Sequence, residues 1–219
     1  MRIEDDLADW WGRVSMWLDT YTELNLLGHG RREGIILGHH YVAYARHDDG
    51  TVRPVNWTSK GSTALPKPVR VPSSDILARS FHLAGAGAVL PPEWQYLRDA
   101  RSWLKSRQTR RAVIDGCTAA EIALTNQVHT LLADTDELVR EELLLHCNGI
   151  ADVAKLVRRF GGSTASRKKI EEKLGKVRDR AAHAGEEPPL DQANEALEIA
   201  HEVVDCARPL ATLHEQTRE

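Results

Sequence analysis

The carboxyl-terminal part of this chain carries apolar residues at helical spacing almost without interruption. From residue 93 to residue 210 they recur three or four positions apart in successive segments, and short polar or glycine-containing breaks separate these segments. Each such stripe covers one side of a helix, which must be buried against another element. Because the connections are short, the sequence predicts an antiparallel helical bundle over residues 91–219.

The first 90 residues follow a different pattern. An amphipathic helix with a tryptophan-rich face is predicted around residues 7–21. Segments 34–46 and 51–57 are rich in β-forming residues, and Asp48-Asp49-Gly50 between them predicts a β-hairpin. We therefore expect a mainly α protein in which a small α/β module, residues 1–90, precedes the bundle.

Composition limits the class of protein. Of the 219 residues, 42% are hydrophobic and 28% charged, which suits a soluble globular chain with a full core. No apolar run approaches the ~20 residues that span a bilayer, so no membrane partner is expected. The acidic start, Met1–Asp6, lacks the apolar core of a signal peptide. Cys117, Cys147 and Cys206 are predicted to be buried thiols in a reducing compartment, which favours the cytoplasm.

Charge is unevenly distributed, although the net charge is only −3. Ten basic residues lie between Lys155 and Arg180 against three acidic ones, and six lie between Arg98 and Arg111 against Asp99 alone. The segment from residue 184 to the end is strongly acidic. A basic block in an acidic protein suits a local phosphate-binding surface, and the alternative is that these side chains only solvate helix faces.

One basic segment combines an arginine, an acid and a histidine. It runs from Arg178 through Asp179 to His183 and is followed by Gly185. A histidine moves protons near neutral pH and an arginine is a fixed cation, the combination needed to cleave a phosphodiester without a metal. The alternative is ordinary helix termination, with a cation in the last turn and a glycine beyond it.

Helix geometry places these side chains relative to the core. The predicted apolar stripe of this helix consists of Ile170, Leu174, Val177 and Ala181. At about 100° per residue, Asp179 and His183 lie opposite the stripe and Arg178 on its flank. Asp179 and His183 are four residues apart, so the carboxylate can reach the imidazole. Such a site is shallow unless a second subunit covers it.

Other candidate sites are weaker. Glu121 is predicted at the edge of an apolar stripe, where its carboxylate needs a partner. The partner is either an arginine of the helix that carries Arg178 and His183, called the motif helix below, or a residue in a simple interhelical salt bridge. Four histidines of the first region, His29, His39, His40 and His47, lack accompanying cysteines or a helical His-Glu pair, which argues against a metal site. No cofactor is expected, since there is no phosphate-binding glycine loop or dinucleotide fingerprint.

The segment Arg178-Asp179-x-x-x-His183 resembles the Arg-polar-x-x-x-His signature of HEPN domains, many of which are ribonucleases. Residues Arg111–Thr125 resemble the long second helix of many bacterial HEPN proteins, and the order of elements from about Pro91 to Arg218 is also similar. The resemblance covers a little over half of the chain. In one departure, Asp179 stands where asparagine is frequent in the family.

This resemblance implies a metal-independent endoribonuclease that acts on RNA. His183 would move a proton, Arg178 would stabilise the transition state, and Asp179 would hold the imidazole, with Glu121 as possible support. The weaker RNA contacts expected nearby are Arg180, Lys176 and Lys173.

The resemblance also implies a homodimer, with two copies of the motif across the interface. Such proteins often serve as toxins or antiviral effectors, so an antitoxin or another regulatory protein is a further expected partner. The amino-terminal module would then have a sensing or recruiting role. Two alternatives remain: a non-catalytic HEPN dimerisation or scaffold domain, and a partner-regulated binding module that uses the tryptophan-rich first helix.

Overall fold

The structure is a computed structural model that describes residues 3–22, 43–46, 52–55 and 72–213. The chain divides into two units, of which the first comprises Met1–Gly30 with Pro72–Glu219 and the second comprises Arg31–Val71. The described residues are mainly helical, which confirms the coarse prediction of a mainly α protein.

Within the described residues the first unit contains nine α-helices. They are α1 (Ile3–Thr22), α2 (Ser74–Gly85), α3 (Pro92–Lys105), α4 (Thr109–Leu131), α5 (Glu137–Leu145), α6 (Ile150–Arg159), α7 (Arg167–Lys169), α8 (Lys176–His183) and α9 (Leu190–Ala207). A π-helical segment, Ile170–Gly175, joins α7 to α8, and a 3-10 turn, Leu210–Thr212, follows α9. The helices of the bundle therefore begin and end close to the breaks in the apolar pattern.

Helix α4 is central to the bundle and packs against α3, α6, α8 and α9. The apolar residues at helical spacing along α4 are buried up to its last turn, whereas Leu131 at the helix end is 36% exposed; the buried ones are Val113, Cys117, Ala120, Leu124 and Val128. At Gly116 α4 packs against α9, and a Cβ atom there would lie 3.2 Å from Leu197 Cδ1. The glycine thus leaves room for the Leu197 side chain between the two helices.

Helix α1 belongs to the same unit as the bundle. Val14 and Trp17 are buried in one core with Leu83 and Trp94, because the apolar face of α1 packs on α2 and α3. The structure therefore divides the chain differently from the boundary predicted at residue 90. An α/β module that joins this helix to the hairpin is not supported, since α1 finds its apolar partners among helices.

The second unit contains the two described strands, β1 (Ala43–Arg46) and β2 (Val52–Val55). They pair antiparallel, with Ala43 opposite Val55 and Arg46 opposite Val52. The rest of the two predicted β segments lies outside the described residues. The same is true of the four histidines considered as metal ligands, His29, His39, His40 and His47.

The three cysteines differ in exposure and all are free thiols. Cys117 is buried, Cys147 is half-buried and Cys206 is exposed. The prediction of three buried thiols is therefore wrong for Cys206, which lies on the outer side of α9 near its end. No helix among the described residues is long and apolar enough to cross a membrane.

Candidate functional site

The motif helix α8 continues a longer helical segment that contains a π-helical turn. Ser166 begins this segment, because its Oγ accepts a hydrogen bond from the Lys169 N–H at 3.3 Å. At the junction with α8 the Lys176 N–H donates to the carbonyl oxygen of Glu171, five residues earlier. Such π-helical turns are rare in proteins, but many of those that occur lie at functional sites. The sequence pattern does not distinguish them from α-helix.

The predicted buried face of this segment is confirmed. Ile170, Leu174 and Ala181 are fully buried and Val177 is 2% exposed. Asp179 and His183 are exposed and Arg178 is half-buried, as the helical positions predict. The apolar residues fix the helix against α4, α6 and α9. Asp179 and His183 consequently face away from the core of their own bundle.

Asp179 pairs with Arg178 in the structure. Arg178 Nη1 donates to Asp179 Oδ1 at 3.1 Å, and the two side chains are 32% and 64% exposed. Among the described residues no hydrogen bond or ion pair joins Asp179 to His183. The carboxylate that was expected to hold the imidazole therefore holds the neighbouring guanidinium.

Arg178 also borders a cleft of about 310 Å³ between α4, α8 and the start of α6. Glu121 and Cys117 of α4 line this cleft together with Arg178, and Cys117 Sγ donates to Glu121 Oε1 at 3.7 Å. The structure thus brings three predicted site residues, Arg178, Asp179 and Glu121, to one place. His183 is not among the residues that line the cleft.

These neighbours act on the protonation of the cleft residues. Burial lowers the pKa of Arg178, but the hydrogen bond to Asp179 and the negative charge of Glu121 outweigh it, so the pKa lies above its ordinary value. Burial first, and the Glu121 carboxylate second, raise the pKa of Cys117 well above its usual range. At neutral pH the guanidinium is therefore charged and the thiol is neutral.

The cleft is not basic overall. Its lining has four acidic residues, Glu121, Asp152, Glu171 and Asp179, and three basic residues, Arg167, Lys176 and Arg178. Two of the basic residues are paired, Arg167 with Asp152 at 3.3 Å and Arg178 with Asp179. The pair with Asp179 holds the Arg178 guanidinium in position. The excess of acidic over basic residues in the lining does not favour deep entry of a phosphate.

The last turn of α8 is held by α4. Arg110 Nε donates to the carbonyl oxygen of Ala181 at 2.7 Å. Gly185, with φ of +69°, turns the chain after the helix, and the Glu186 N–H returns to the carbonyl oxygen of Arg180 at 3.3 Å. His183 therefore lies on a helix end that is fixed from outside the motif.

The same turn returns a carboxylate to the start of α4. Glu187 Oε2 accepts from Thr109 Oγ1 at 3.1 Å and from the Arg110 N–H at 3.2 Å. Sequence analysis missed Arg110 and Glu187, which are 77 residues apart. In the structure Gln108, the residue before α4, does not cap the helix with its side chain, and Glu187 takes that place.

Part of the basic block around the motif is neutralised by α9. Lys173 pairs with Glu195 at 3.0 Å and Lys169 with Glu202 at 3.8 Å. Arg180 lies 3.5 Å from Glu186, and its Nη2 donates to Gln192. Of the three weaker RNA-binding candidates, Lys173 and Arg180 are thus engaged with acidic side chains, and Lys176 lines the cleft.

Within the described part of the chain no group of three or more His, Cys, Asp or Glu side chains is arranged to hold a metal ion. No protein-family model, curated protein or solved structure matches this chain.

Proposed function

We propose that the protein is a HEPN-like endoribonuclease that cleaves RNA with Arg178 and His183. The observation that carries the proposal is their placement on α8. An exposed imidazole lies opposite the buried face of this helix, and a half-buried, charged guanidinium lies on its flank five residues earlier. Among the described residues no side chain pairs with His183, and the helix end that carries it is fixed by Arg110.

The chemistry follows from the two groups. His183, acting as a base, takes the proton from an RNA 2′-hydroxyl, whose oxygen attacks the adjacent phosphorus. The bond from phosphorus to the 5′-oxygen breaks, and that oxygen receives a proton. The products are a 2′,3′-cyclic phosphate and a 5′-hydroxyl. Arg178 stabilises the negative charge that develops on the phosphate oxygens.

The pairing in the structure changes the role proposed for Asp179. Its carboxylate accepts from Arg178, so it positions the guanidinium, and Glu121 supports the charge of Arg178 from the other side. These two residues are therefore positioning residues, and Arg178 and His183 are the proposed catalytic pair. Removal of either carboxylate leaves Arg178 charged but free to adopt other rotamers.

A second subunit completes this site. One chain provides a single imidazole on an open helix face, whereas cleavage needs both a base and an acid. In a twofold-symmetric dimer formed through the polar face of α8, the second His183 supplies the other proton transfer. The acidic residues Glu121 and Asp179 offset the repulsion between two copies of Arg178. The biological role proposed is that of a toxin or antiviral effector, controlled by an antitoxin or another regulatory protein.

A non-catalytic dimerisation or scaffold domain is the second candidate. It is favoured by one observation, since Arg178 is already paired with Asp179 and lies in a cleft with more acidic than basic residues. In that case the arginine stabilises the fold or the interface and His183 ends a helix.

RNA cleavage by matched variants separates the two candidates. The wild-type protein, His183→Ala and Arg178→Ala are incubated with total RNA and with tRNA. The controls are His146→Ala, at an exposed histidine on the end of α5, and Arg159→Ala, at an exposed arginine on α6. The proposal expects cleavage by the wild type and both controls and none by the two motif variants. Equal cleavage by all five proteins, or no cleavage by any, contradicts it.

A further inference from the structure

A second basic surface lies where α3 meets α4. The corner formed by the end of α3, the turn and the first turn of α4 carries five basic residues, Arg101, Lys105, Arg107, Arg110 and Arg111. Four of them, all except Arg101, are exposed. Shallow pockets of about 380–390 Å³ lie against the corner, between α3 and α9 and beside Arg110 and Arg111. We call this surface the α3–α4 corner.

The turn itself is held in an unusual conformation. Arg107 has φ of +62° and is the one described non-glycine residue with a positive φ. A side chain in this region carries a conformational cost, which glycine would avoid. Its N–H donates to the carbonyl oxygen of Leu104 at 3.0 Å, and the next N–H, of Gln108, donates to Trp103 at 2.9 Å. The tight turn projects an arginine at the point where the two helices meet.

The corner also contains an aromatic platform. The Arg111 guanidinium lies over the ring of Trp103, 4.1 Å from its centroid. A guanidinium plane fixed in this way can stack with an unpaired base while its N–H groups contact phosphate. Stacking of this kind tolerates many base sequences, and it requires bases that are not already paired.

Arg110 connects the corner to the motif helix. Its Nε bond to the Ala181 carbonyl places the first turn of α4 two residues from His183 along α8. The corner is therefore joined by a direct contact to the helix end that carries the exposed imidazole. Two acidic residues nearby are already engaged, Glu187 at the start of α4 and Glu186 with Arg180.

The basic side chains closer to the motif are less available for RNA. Lys169 and Lys173 pair with α9 carboxylates, and the cleft beside Arg178 has one more acidic than basic residue. Counterion release on RNA binding scales with the phosphates that a protein newly neutralises, so cations already paired with carboxylates contribute less. By contrast, Arg107 and Arg111 at the α3–α4 corner are exposed and take part in none of these ion pairs.

We infer that the α3–α4 corner is the surface that binds single-stranded RNA and leads it to His183. Arg107 contacts one phosphate, and Arg111 on Trp103 stacks with a base while its N–H groups contact a second phosphate. The inference rests on the proposed function only for the nature of the ligand. It assigns substrate binding to a part of the chain outside the motif.

Binding of a labelled, unstructured RNA oligonucleotide to the full chain tests the inference. All proteins carry His183→Ala, so that the RNA stays intact, and affinity is measured by fluorescence anisotropy over a range of salt concentrations. The corner variant is Arg107→Gln with Arg111→Gln; Arg110 is left in place because it holds Ala181. The matched comparison is Lys155→Gln with Arg158→Gln, two exposed basic residues of α6.

The corner variant should bind about 20-fold more weakly at 0.1 M salt, with a salt slope reduced by about 1.4, as for two lost phosphate contacts on a single strand. The α6 variant should change the affinity less than about twofold. Arg107→Gly removes the charge and relieves the backbone, so it should weaken binding about fivefold without lowering the melting temperature.

Unchanged RNA affinity of the corner variants, or an equal loss in the α6 variant, overturns the inference. The same holds if anionic lipid vesicles or polyglutamate bind the corner as tightly as RNA does. The outcome is distinct from that of the proposed function. If RNA binds through the corner but the wild type does not cleave it, the binding surface is supported and the proposed nuclease activity is contradicted. If RNA is cleaved and Arg107→Gln with Arg111→Gln leaves cleavage unaffected, the nuclease activity is supported and the binding surface is contradicted.

Discussion

The guanidinium of Arg110 donates a 2.7 Å hydrogen bond to the carbonyl oxygen of Ala181, so the start of α4 holds the end of α8. Glu187 closes the connection by accepting from the Arg110 N–H and from Thr109 Oγ1. The position of His183 therefore depends on the start of α4, which is far from it in sequence.

Substitution of Glu187 tests this connection. Glu187→Ala removes the carboxylate that caps α4, and we expect the free energy of unfolding to fall by about 1 kcal/mol. The matched control is Glu186→Ala, which breaks an exposed pair with Arg180 and should cost about 0.5 kcal/mol or less. Urea unfolding of both variants measures the difference. Equal losses would mean that Glu187 does not cap α4.

The two faces of the motif helix should respond differently to truncation. His183→Ala removes an exposed side chain, so it should abolish cleavage while changing the free energy of unfolding by no more than about 1 kcal/mol. Leu174→Ala, at a fully buried position, should destabilise the protein by about 2–5 kcal/mol. Thermal or chemical unfolding gives both values. A His183→Ala protein that fails to fold would show that the histidine is structural.

The sequence predicts those features of the site that depend on residues close together along the chain. The apolar stripe of Ile170, Leu174, Val177 and Ala181 is periodic, so it predicts which face is buried and that Asp179 and His183 are exposed. The spacing of four residues also favoured a pair between those two. The structure has the adjacent Arg178–Asp179 pair instead, because long side chains at the edge of the buried face bend toward neighbours that a helical projection does not show.

Contacts between distant segments were not predictable from local patterns. The Arg110–Ala181 bond joins residues 71 positions apart, and the return of Glu187 to α4 depends on how α8 and α4 pack. The same applies to α1, whose tryptophan-rich face was correctly placed on a helix but not assigned to the bundle core. Periodicity shows that a face is buried; it does not show which element covers it.

The thiols provide a test of burial and pKa. Burial and the Glu121 carboxylate keep Cys117 protonated in the folded state, whereas Cys206 is exposed. Iodoacetamide at pH 8 should label Cys206 first and Cys117 only after unfolding. Since the unfolded thiol ionises near pH 9 and the folded one at higher pH, the contribution of Cys117 to stability should be lost as pH rises above about 9. Rapid labelling of Cys117 in the native protein would contradict this description of the cleft.

Assembly is the next prediction. We expect a dimer in solution, with Arg178 and His183 of both chains near the twofold axis. Asp179→Asn or Glu121→Gln should weaken it, because each removes negative charge that offsets the two arginines, and the effect should diminish at high salt. Light scattering at several protein concentrations measures the affinity. An active protein that remains monomeric, or a dimer with the two His183 side chains on opposite outer surfaces, would refute this arrangement.

The chemistry of the cleaved ends tests the central claim most directly. RNA is incubated with the wild-type protein in EDTA, and the termini of the fragments are determined, beside an oligonucleotide of the same sequence made as DNA. Because the proposed mechanism uses an imidazole and a guanidinium, with the RNA 2′-hydroxyl as nucleophile, cleavage should persist under chelation. It should leave 2′,3′-cyclic phosphate and 5′-hydroxyl ends, and the DNA should stay intact. Cleavage of the DNA at a similar rate, loss of activity in EDTA, or 5′-phosphate ends would contradict the assignment of catalysis to Arg178 and His183.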